Sequence, residues 1–445
     1  MFFLYLHNLR NIFLVFMLDG VVMNKKIKIG LFVFIFIGVI ILNITYKNKE
    51  VKTKRKKQNG LAIMIKEDGA TDYTKSNSKD IPKGNYALNY EKSYCKNNGV
   101  IGDYDSTLGK VSFSFIGTDS CYLYFDYYLP GYITILNNNG GKDAIETKGT
   151  PDFSVVATEN EGMYAAQDDL GTSYYFRGAV DNNWIKFGKD SNNNDMYWRI
   201  IRINGDGSIR MIYSGTIAPD SSTATVMTGT ETQISTNSFN DNKDESQYVG
   251  YMYTAREQHG NILSSRIKTT LDNWHKTTLE TDNATKQMMA EQIFCNDRSV
   301  ITGTWSFIEE LYYAAGTRLK TNKSPVLTCP TESDKFTLKT SGIGNKTLDY
   351  PVGLITADEI AMAGGVWYTN NTSYYLYTNQ YYWTGSPCDY SWDYESATEV
   401  GVYSSGELNA LNVAGTYGVR PVISLSSSIK LTGNGTWNNV YEVVN

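Results

Sequence analysis

Alternating apolar and polar positions predict β-structure over much of this chain. In the stretch YWRIIRINGDGSIRMIYSG, two runs rich in β-branched residues flank residues 204–207, where an Asp-Gly pair supplies the positive φ of a tight hairpin turn. A second stretch, GVRPVISL, places four apolar residues on one face of a strand, namely Val419, Pro421, Ile423 and Leu425. We therefore expect a hairpin in the middle of the chain and a strand near its end.

Shorter patterns of the same kind occupy residues 61–128. LAIMI, KVSFSFIG and CYLYFDYY have the composition of strands, and Val111, Phe113 and Phe115 alternate with other residues. These features predict a small all-β module. Residues 129–165 contain many turn formers, so we interpret them as a connection, and residues 431–445 as a C-terminal tail.

Helical periodicity occurs farther along the chain. SSRIKTTLDNW spaces three apolar residues along one helix face, after Ser264 or Ser265 as N-cap. TADEIAMAGG carries a capping box, Thr356 with Glu359, and its glycines predict a helix end at Gly364. Together with the strands, these helices predict an α+β fold.

The first 46 residues have the pattern of a membrane segment. An uncharged run over residues 29–44, IGLFVFIFIGVIILNI, follows three lysines, in the order of a secretory signal or signal anchor. Met23 is a natural start, so residues 23–46 are expected to form a transmembrane helix, and residues 1–22 fit an extension upstream of the start codon. No small-residue cleavage site follows the run, which favours an uncleaved anchor.

Charge is divided unevenly along the chain. The first 57 residues hold eleven Lys or Arg against two acids, so the rest of the chain is strongly acidic within an overall net charge of −5. An acidic body without a basic stripe excludes sequence-independent nucleic-acid binding, because phosphate neutralisation drives that binding. Residues 47–60 form a basic linker, and by the positive-inside rule they favour the cytoplasmic side of the membrane.

The cysteines favour the opposite side. None of the five lies in a C-x-x-C pair, which disfavours zinc and thioredoxin-like sites. Spacings of 26 and 34 residues suit two local disulfides in an exported protein, Cys95 with Cys121 and Cys295 with Cys329. We therefore expect a single-pass protein of the cell membrane with its body outside.

Five stretches of the chain together have a distinctive order: the hairpin YWRIIRINGDGSIRMIYSG, then FCNDRS, YPVGLITADEIAMAGG, YYWTGSP and YGVRPVISL. They resemble stretches of a group of uncharacterised surface proteins of low-GC Gram-positive and related gut bacteria. Their order, with a Trp-Thr strand followed by Gly-Val-Arg-Pro-Val, is similar to the C-type-lectin-like fold of formylglycine-generating enzymes and of bacterial variable receptor proteins. CYLYFDYY also resembles the close of a small repeat found upstream in these proteins.

The resemblance implies a C-type-lectin-like domain over residues 166–430, in which the terminal strands are central and the preceding loops display ligand contacts. By matching position, Trp383 and residues 418–422 would be framework. This set includes Gly418, Arg420 and Pro421, with Arg420 engaged in buried polar bonds. The resemblance implies a fold more than an activity, because the function of the group is largely unknown.

Metal-binding motifs are weak in this sequence. DSNNND at residues 190–195 begins like an EF-hand loop, but Asp195 replaces the required glycine and Ile201 the bidentate glutamate, so we interpret it as a polar turn. Loop carboxylates leave calcium dependence open in a lectin-like fold, although the sequence assembles no site from them. They include Asp389, Asp393 and Glu395. We expect no metal site and no cofactor.

Catalytic motifs are also weak, so we do not expect an enzyme. No G-x-S-x-G elbow is present, and the histidines of the exported region are His259, expected in a turn, and His275, expected at a helix surface. Formylglycine-generating enzymes depend on a pair of reactive cysteines near the C-terminal active site, whereas here only Cys388 lies in that region. Cys388 is then a free thiol, a bridge to another molecule, or a buried residue.

The aromatic-rich segment 374–395, YYLYTNQYYWTGSPCDYSWDYE, is the leading candidate for a binding site. Aromatic side chains give large contact areas at low entropic cost. Up to Trp383 we interpret the segment as framework, because its tyrosine content also fits an AT-rich genome. Beyond residue 387, aromatic and polar residues alternate as either a half-buried strand or a displayed row. The candidate ligand-binding residues are Asp389, Tyr390, Trp392, Asp393 and Tyr394.

These observations predict a membrane-anchored bacterial surface protein that binds an extracellular protein or glycan through its lectin-like domain. The alternative is a structural component of a pilus or of the cell wall, although the prepilin signature is absent from the sequence. An enzyme related to formylglycine-generating enzymes is the third interpretation.

Overall fold

The computed structural model describes residues 60–67, 70–114, 119–301 and 303–444. The predicted membrane segment, most of the basic linker and Phe115 lie outside these residues. Within the described ranges, no helix is long and apolar enough to cross a membrane. The chain divides into two compact units, Met1–Tyr127 and Tyr128–Asn445.

The described part of the first unit consists of short strands around a small apolar core. They are β1 (Leu61–Lys66), β2 (Thr74–Lys75), β3 (Tyr86–Leu88), β4 (Tyr94–Cys95), β5 (Val100–Asp105), β6 (Lys110–Ser114) and β7 (Cys121–Tyr127). Strand β7 is central, because it pairs in parallel with β1 and antiparallel with both β3 and β4, while β5 and β6 form a separate hairpin. Leu123 and Phe125 of β7 alternate into the core against Ile63.

The second unit is mixed α+β, as the sequence predicts. Its helices are short: α1 (Gly131–Asn138), α2 (Lys142–Glu146), α3 (Arg266–Thr278), α4 (Asn283–Met288), α5 (Ala314–Thr317) and α6 (Ala357–Ala363). Its strands are β8 (Asn160–Asp168), β9 (Gly171–Gly178), β10 (Trp184–Lys189), β11 (Asp195–Ile203), β12 (Ile209–Tyr213), β13 (Ser235–Asn237), β14 (Met252–Tyr253), β15 (Leu263–Ser264), β16 (Phe294–Cys295), β17 (Leu311–Tyr312), β18 (Lys335–Phe336), β19 (Tyr382–Ser391), β20 (Ser396–Val402), β21 (Leu408–Asn412), β22 (Tyr417–Val419), β23 (Val422–Leu425), β24 (Lys430–Thr432) and β25 (Tyr441–Val444).

Two sheets hold most of these strands. The larger has the order β23-β12-β11-β10-β25-β24, with β9 paired to β11 and β8 to β9. The smaller has the order β13-β22-β19-β20-β21, with β17 paired to β19. The segment expected to be a tail therefore contributes two strands to the larger sheet, and the expected connection contains α1 and α2.

The two sheets are joined through the stretch GVRPVISL. We expected one strand there, but the structure has β22 in the smaller sheet and β23 in the larger one, separated by Arg420 and Pro421. Proline has no backbone N–H and cannot donate a hydrogen bond to a neighbouring strand. The chain can therefore leave one sheet for the other at Pro421 without losing a hydrogen bond from the nitrogen of this residue. The four apolar residues of the stretch are all buried.

The predicted helix caps and the predicted helix end are confirmed, whereas the predicted exposure of His275 is wrong. Ser265 caps α3 by accepting from Lys268 N, and Thr356 and Glu359 form the capping box of α6, which ends at Gly364 with a φ of 122°. His275 of α3, however, is not at the surface. It is fully buried beside Tyr350, and burial lowers its pKa to about 4.

Both predicted disulfides are present, Cys95–Cys121 and Cys295–Cys329, and Cys388 is a free, buried thiol. Burial raises the pKa of Cys388 well above its usual value, which keeps the thiol protonated and unreactive.

We expect thiol labelling to distinguish three states of the protein. A maleimide should label no cysteine of the folded, unreduced chain, one cysteine after unfolding in urea, and all five after unfolding and reduction, as counted by mass spectrometry. Cys388→Ser should remove the single label from the unfolded, unreduced chain. Three or more labels on the unfolded, unreduced chain would contradict the two disulfide pairs.

Candidate functional site

The residues predicted to bind a ligand lie at, and just before, the turn between β19 and β20. This turn comprises residues 392–395, and Glu395 has a φ of 44°, in the left-handed region. Two hydrogen bonds to its backbone hold it in place. Trp392 N donates to Glu310 Oε2 at 3.2 Å, and Lys243 Nζ donates to Tyr394 O at 3.4 Å.

The structure separates the five predicted residues into two groups. Trp392 and Tyr394 are 59% and 78% exposed, and Asp393 between them is also exposed. Tyr390 is buried and donates to Asp244 O at 2.7 Å. Asp389 accepts from Thr398, and burial raises its pKa. Tyr390 therefore supports the turn from below and does not face solvent as the displayed-row interpretation requires, and Asp389 is half-buried.

A third exposed aromatic residue, which the sequence did not single out, stands beside this turn. Tyr312 of β17 is 52% exposed, and its backbone pairs with that of Asp389. Its hydroxyl donates to Glu310 Oε1 at 3.1 Å, so Glu310 contacts both Tyr312 and the backbone of Trp392. We refer to Trp392, Tyr394 and Tyr312 as the aromatic tip.

The surroundings of the aromatic tip are acidic. Burial raises the pKa of Tyr390, and four carboxylates near its hydroxyl raise it further, those of Glu395, Asp244, Glu245 and Glu310. The hydrogen bond to Glu310 likewise raises the pKa of Tyr312. The site thus combines flat apolar faces with negative charge.

These carboxylates do not form a metal centre. In the part of the chain that the structure describes, no group of three or more His, Cys, Asp or Glu side chains is arranged to hold a metal ion. His259 lies in a turn, as expected, with Nδ1 at 3.0 Å from Asp334 Oδ2. Arg298 Nη2 contacts the same carboxylate at 2.6 Å, so Asp334 serves as a partner for two loops.

The four residues expected to be framework, Trp383, Gly418, Arg420 and Pro421, are all buried. Trp383 Nε1 donates to Asn237 O at 2.8 Å, and Arg420 donates to Tyr213 O at 3.0 and 3.2 Å and to Leu376 O. Pro421 O accepts from Tyr213 N. A Cβ at Gly418 would overlap the side chain of Gln233, so this position allows only glycine without rearrangement.

A second candidate site is a narrow cavity of about 30 Å³ beside the N-terminal turn of α6. Its walls carry eight charged side chains, which together we call the charged cleft: Asp168, Asp169, Arg202, Arg210, Asp297, Arg318, Asp358 and Glu359. Ser386 of β19 also lines it, and its Oγ accepts from Ala357 N at 2.9 Å. The cleft is therefore built where α6 meets both sheets.

Glu359 is the centre of one wall of the charged cleft. Arg202 Nε and Arg210 Nε lie 2.8 and 2.6 Å from its Oε1, and Thr356 N donates to its Oε2 at 2.9 Å. Burial opposes ionisation of Glu359, but the guanidinium groups of Arg210 and Arg202 outweigh it and lower the pKa of the carboxyl to about 2. Glu359 is thus ionised at any ordinary pH.

Arg318 is the centre of a second ion cluster in the charged cleft. Its Nε and Nη2 donate to the two carboxylate oxygens of Asp358, each at 2.8 Å, which is the bidentate geometry that guanidinium and carboxylate groups favour. The contact of Arg318 Nη1 with Asp297 Oδ2 is longer, at 3.4 Å. The carboxylates raise the pKa of Arg318 despite its burial.

Sequence reasoning missed the charged cleft, although two signals were present. Arg202 and Arg210 lie within apolar strands of the hairpin, where an unpaired charge would be costly, and Glu359 was already placed next to the core by the capping box. No local signal identified Glu310 and Tyr312, because β17 is two residues long.

The fold and these sites define a mixed α+β protein with an exposed, acidic aromatic hairpin and a separate charged cleft. Comparisons of the chain with protein-family models, with curated proteins and with solved structures found no match.

We expect Glu359→Gln to destabilise the protein by about 3–5 kcal/mol, because it leaves two buried arginines without their shared charge. The measurement is the urea midpoint at pH 7. Since the pKa of Glu359 is lowered from 4.5 to about 2, its contribution is present above pH 4.5 and is lost as the pH falls towards 2. The difference between wild type and variant should therefore shrink over that range.

The matched control is Glu442→Gln, which breaks the half-exposed pair of Glu442 with Lys186 and should cost less than about 1 kcal/mol. Equal losses in the two variants would show that the Glu359 cluster has no special role.

Proposed function

We propose that this protein is a bacterial surface protein, anchored in the membrane by its N-terminal segment, whose second unit is C-type-lectin-like and binds an extracellular protein or glycan. The observation that carries the proposal is the aromatic tip. Three large aromatic side chains are more than half exposed at one end of the smaller sheet, and their backbone is fixed by hydrogen bonds.

Such an arrangement suits recognition on energetic grounds. Trp and Tyr bring large contact areas with few rotatable bonds, so burying them against a ligand costs little entropy. Glu310 contacts Tyr312 and Trp392, and Tyr390 holds the base of the turn, which reduces the ordering needed on binding. Exposed apolar side chains that cluster on one surface often mark an interaction site.

The acidic surroundings narrow the ligand class. Glu310, Glu395 and Asp393 add negative charge beside the aromatic faces. Complementary charge increases both association rate and specificity, and aromatic faces themselves attract cations. A protein or glycan that presents amino or guanidinium groups is the ligand that this surface fits best.

Export is supported by the two disulfides, because such bonds persist in oxidising compartments. The basic residues between positions 47 and 57 oppose it under the positive-inside rule. We give the disulfides more weight, since each unit contains one. The lectin-like assignment rests on the sequence resemblance and is supported by the burial of Trp383 and Arg420.

Alanine substitution at the aromatic tip should weaken ligand binding. Wild-type protein is first screened on a glycan array and on immobilised extracellular proteins, and the strongest hit is then titrated by surface plasmon resonance. Trp392→Ala and Tyr394→Ala should each raise the Kd at least about tenfold, because central aromatic residues dominate binding energies.

The control is Tyr368→Ala. Tyr368 is 58% exposed but lies beside Leu408, at the end of β20 and β21 opposite the turn. Unchanged affinity for both tip variants, or an equal loss for the control, would contradict the proposed site.

Topology is tested separately by protease treatment of intact cells. If the body is extracellular, trypsin should remove the epitope of a C-terminal tag while a cytoplasmic marker survives. A tag that persists until the cells are lysed would place the body inside the cell and overturn the surface assignment.

A further inference from the structure

We propose that the open face of the larger sheet binds an oligosaccharide of amino sugars, at a site separate from the aromatic tip. Strand pairing places four side chains in one row across this face, because directly paired positions project to the same side of a sheet. In order across the sheet they are Thr432 of β24, Glu442 of β25, Lys186 of β10 and Tyr197 of β11. All four are exposed or half-buried, so the row is accessible to a ligand.

Two depressions lie along this row, and we refer to them together as the sheet groove. The first, of about 350 Å³, is lined by Tyr197, Glu442 and the loop that carries Trp437. The second, of about 520 Å³, is lined by Glu442, the turn at Asp190 and the beginning of α4. Sites for small molecules have volumes of about 300–1,000 Å³. Because Glu442 lines both depressions, a short chain of sugar units can extend from one into the other.

The first depression has the chemistry of a sugar-binding surface. Trp437 is 38% exposed and Tyr197 is half-buried, so each offers part of an aromatic ring to a ligand. Trp437 Nε1 and the Tyr197 hydroxyl donate to none of the residues that the structure describes, and the side-chain amide of Asn439 has no hydrogen-bond partner among them either. A sugar has an apolar face of C–H groups that packs on an aromatic ring, and hydroxyl groups at its edge that need such donors and acceptors.

Charge identifies the kind of sugar. Six charged side chains line the sheet groove, two lysines against four carboxylates: Lys186, Lys189, Asp190, Asp195, Asp282 and Glu442. Lys186 Nζ lies 2.7 Å from Glu442 Oε1, and Lys189 Nζ lies 2.8 Å from Asp195 Oδ1. Asp190 and Asp282 are left without an ion pair among the described residues, so the second depression keeps a negative charge.

Hydrogen bonds keep both of these unpaired carboxylates ionised. Asp190 accepts from Asn194 Nδ2 at 2.9 Å and from two backbone N–H groups, and Asp282 accepts from Thr285 Oγ1 at 2.7 Å and from Thr285 N at 2.8 Å. These hydrogen bonds, above all those from the side chains, lower the pKa of both carboxyls. Protonated amino groups on a sugar compensate this charge, whereas a neutral sugar leaves it uncompensated and an acidic sugar is repelled.

The sheet groove shares no residue with the aromatic tip, so the inference does not rest on the proposed function. To exclude binding at the tip, the full-length chain used for the test carries Trp392→Ala and Tyr394→Ala. It is titrated in detergent by isothermal calorimetry with the hexasaccharide of glucosamine, at a mildly acidic pH where the amines are protonated. The matched probe is the hexasaccharide of N-acetylglucosamine, which has the same rings without the charges.

We expect the glucosamine hexasaccharide to bind at least about tenfold more tightly than its N-acetylated form, because only the former supplies cations for Asp190 and Asp282. Tetra-L-lysine supplies cations without sugar rings, and it should also bind at least about tenfold more weakly. The proposal is overturned if the glucosamine hexasaccharide does not bind, or if either comparison ligand binds as tightly.

Variants in the same background locate the site. Trp437→Ala should raise the Kd for the glucosamine hexasaccharide at least about tenfold, because it removes the larger aromatic face. Asp190→Asn combined with Asp282→Asn should remove most of the preference over the N-acetylated form. Asparagine is accepted in turns and at helix N-caps, so these two substitutions keep the local structure.

The matched control is Asp152→Asn. Asp152 is exposed, lies outside the sheet groove and likewise accepts from its own turn, at Ser154 N and Oγ. This substitution should leave both affinities unchanged. Wild-type affinities in the Trp437 variant and in the double aspartate variant, or an equal loss in the Asp152 variant, would place the saccharide elsewhere on the molecule.

Discussion

The ion cluster of Glu359 with Arg202 and Arg210 is the interaction on which the second unit most depends. It attaches α6 to the β11–β12 hairpin, and the same carboxylate closes the capping box at Thr356. Charges buried to this extent are costly unless they are paired, so each member of the cluster stabilises the folded state only while the others are present. Helix, hairpin and one wall of the charged cleft are therefore positioned by a single set of contacts.

Other buried arginines solve a related problem. Much of the second unit is loop, and buried backbone carbonyls in loops have no ladder or helix to satisfy them. Arg177 donates to two loop carbonyls, Asp152 O and Val155 O, and also to Ala361 O and Met362 O at the end of α6. Arg420 donates to Leu376 O in a loop and to Tyr213 O at the end of β12. With five N–H donors and a planar shape, guanidinium groups are well suited to this task. Burial lowers the pKa of Arg420, and the carbonyl oxygens that accept from it, together with the adjacent Tyr382 ring, offset part of the cost of burying its charge.

What the sequence could predict was local. The hairpin turn, the Ser265 cap, the capping box and the two disulfides each depend on residues close together in the chain, and all are present. What it could not predict depends on distant partners. The change of sheet at Arg420 follows from the pairing of β22 with β19 in one sheet and of β23 with β12 in the other. The burial of His275 follows from the packing of Tyr350 against it. The spacing of apolar residues within α3 contains no information about the position of Tyr350.

The difference between local signals and distant partners also explains which side chains of the aromatic-rich segment 374–395 are exposed. In a continuous strand, residues 390, 392 and 394 would share one face, and the sequence left open whether that face was buried or displayed. The strand instead ends at Ser391, and Trp392 and Tyr394 belong to the turn that follows, which ends with the left-handed Glu395. Tyr390 is therefore a support and Trp392 an exposed side chain, although they are two positions apart. The aromatic residues of this segment thus have different physical roles: most are buried, whereas Trp392 and Tyr394, joined by Tyr312 from a strand distant in the sequence, are more than half exposed and accessible to a ligand.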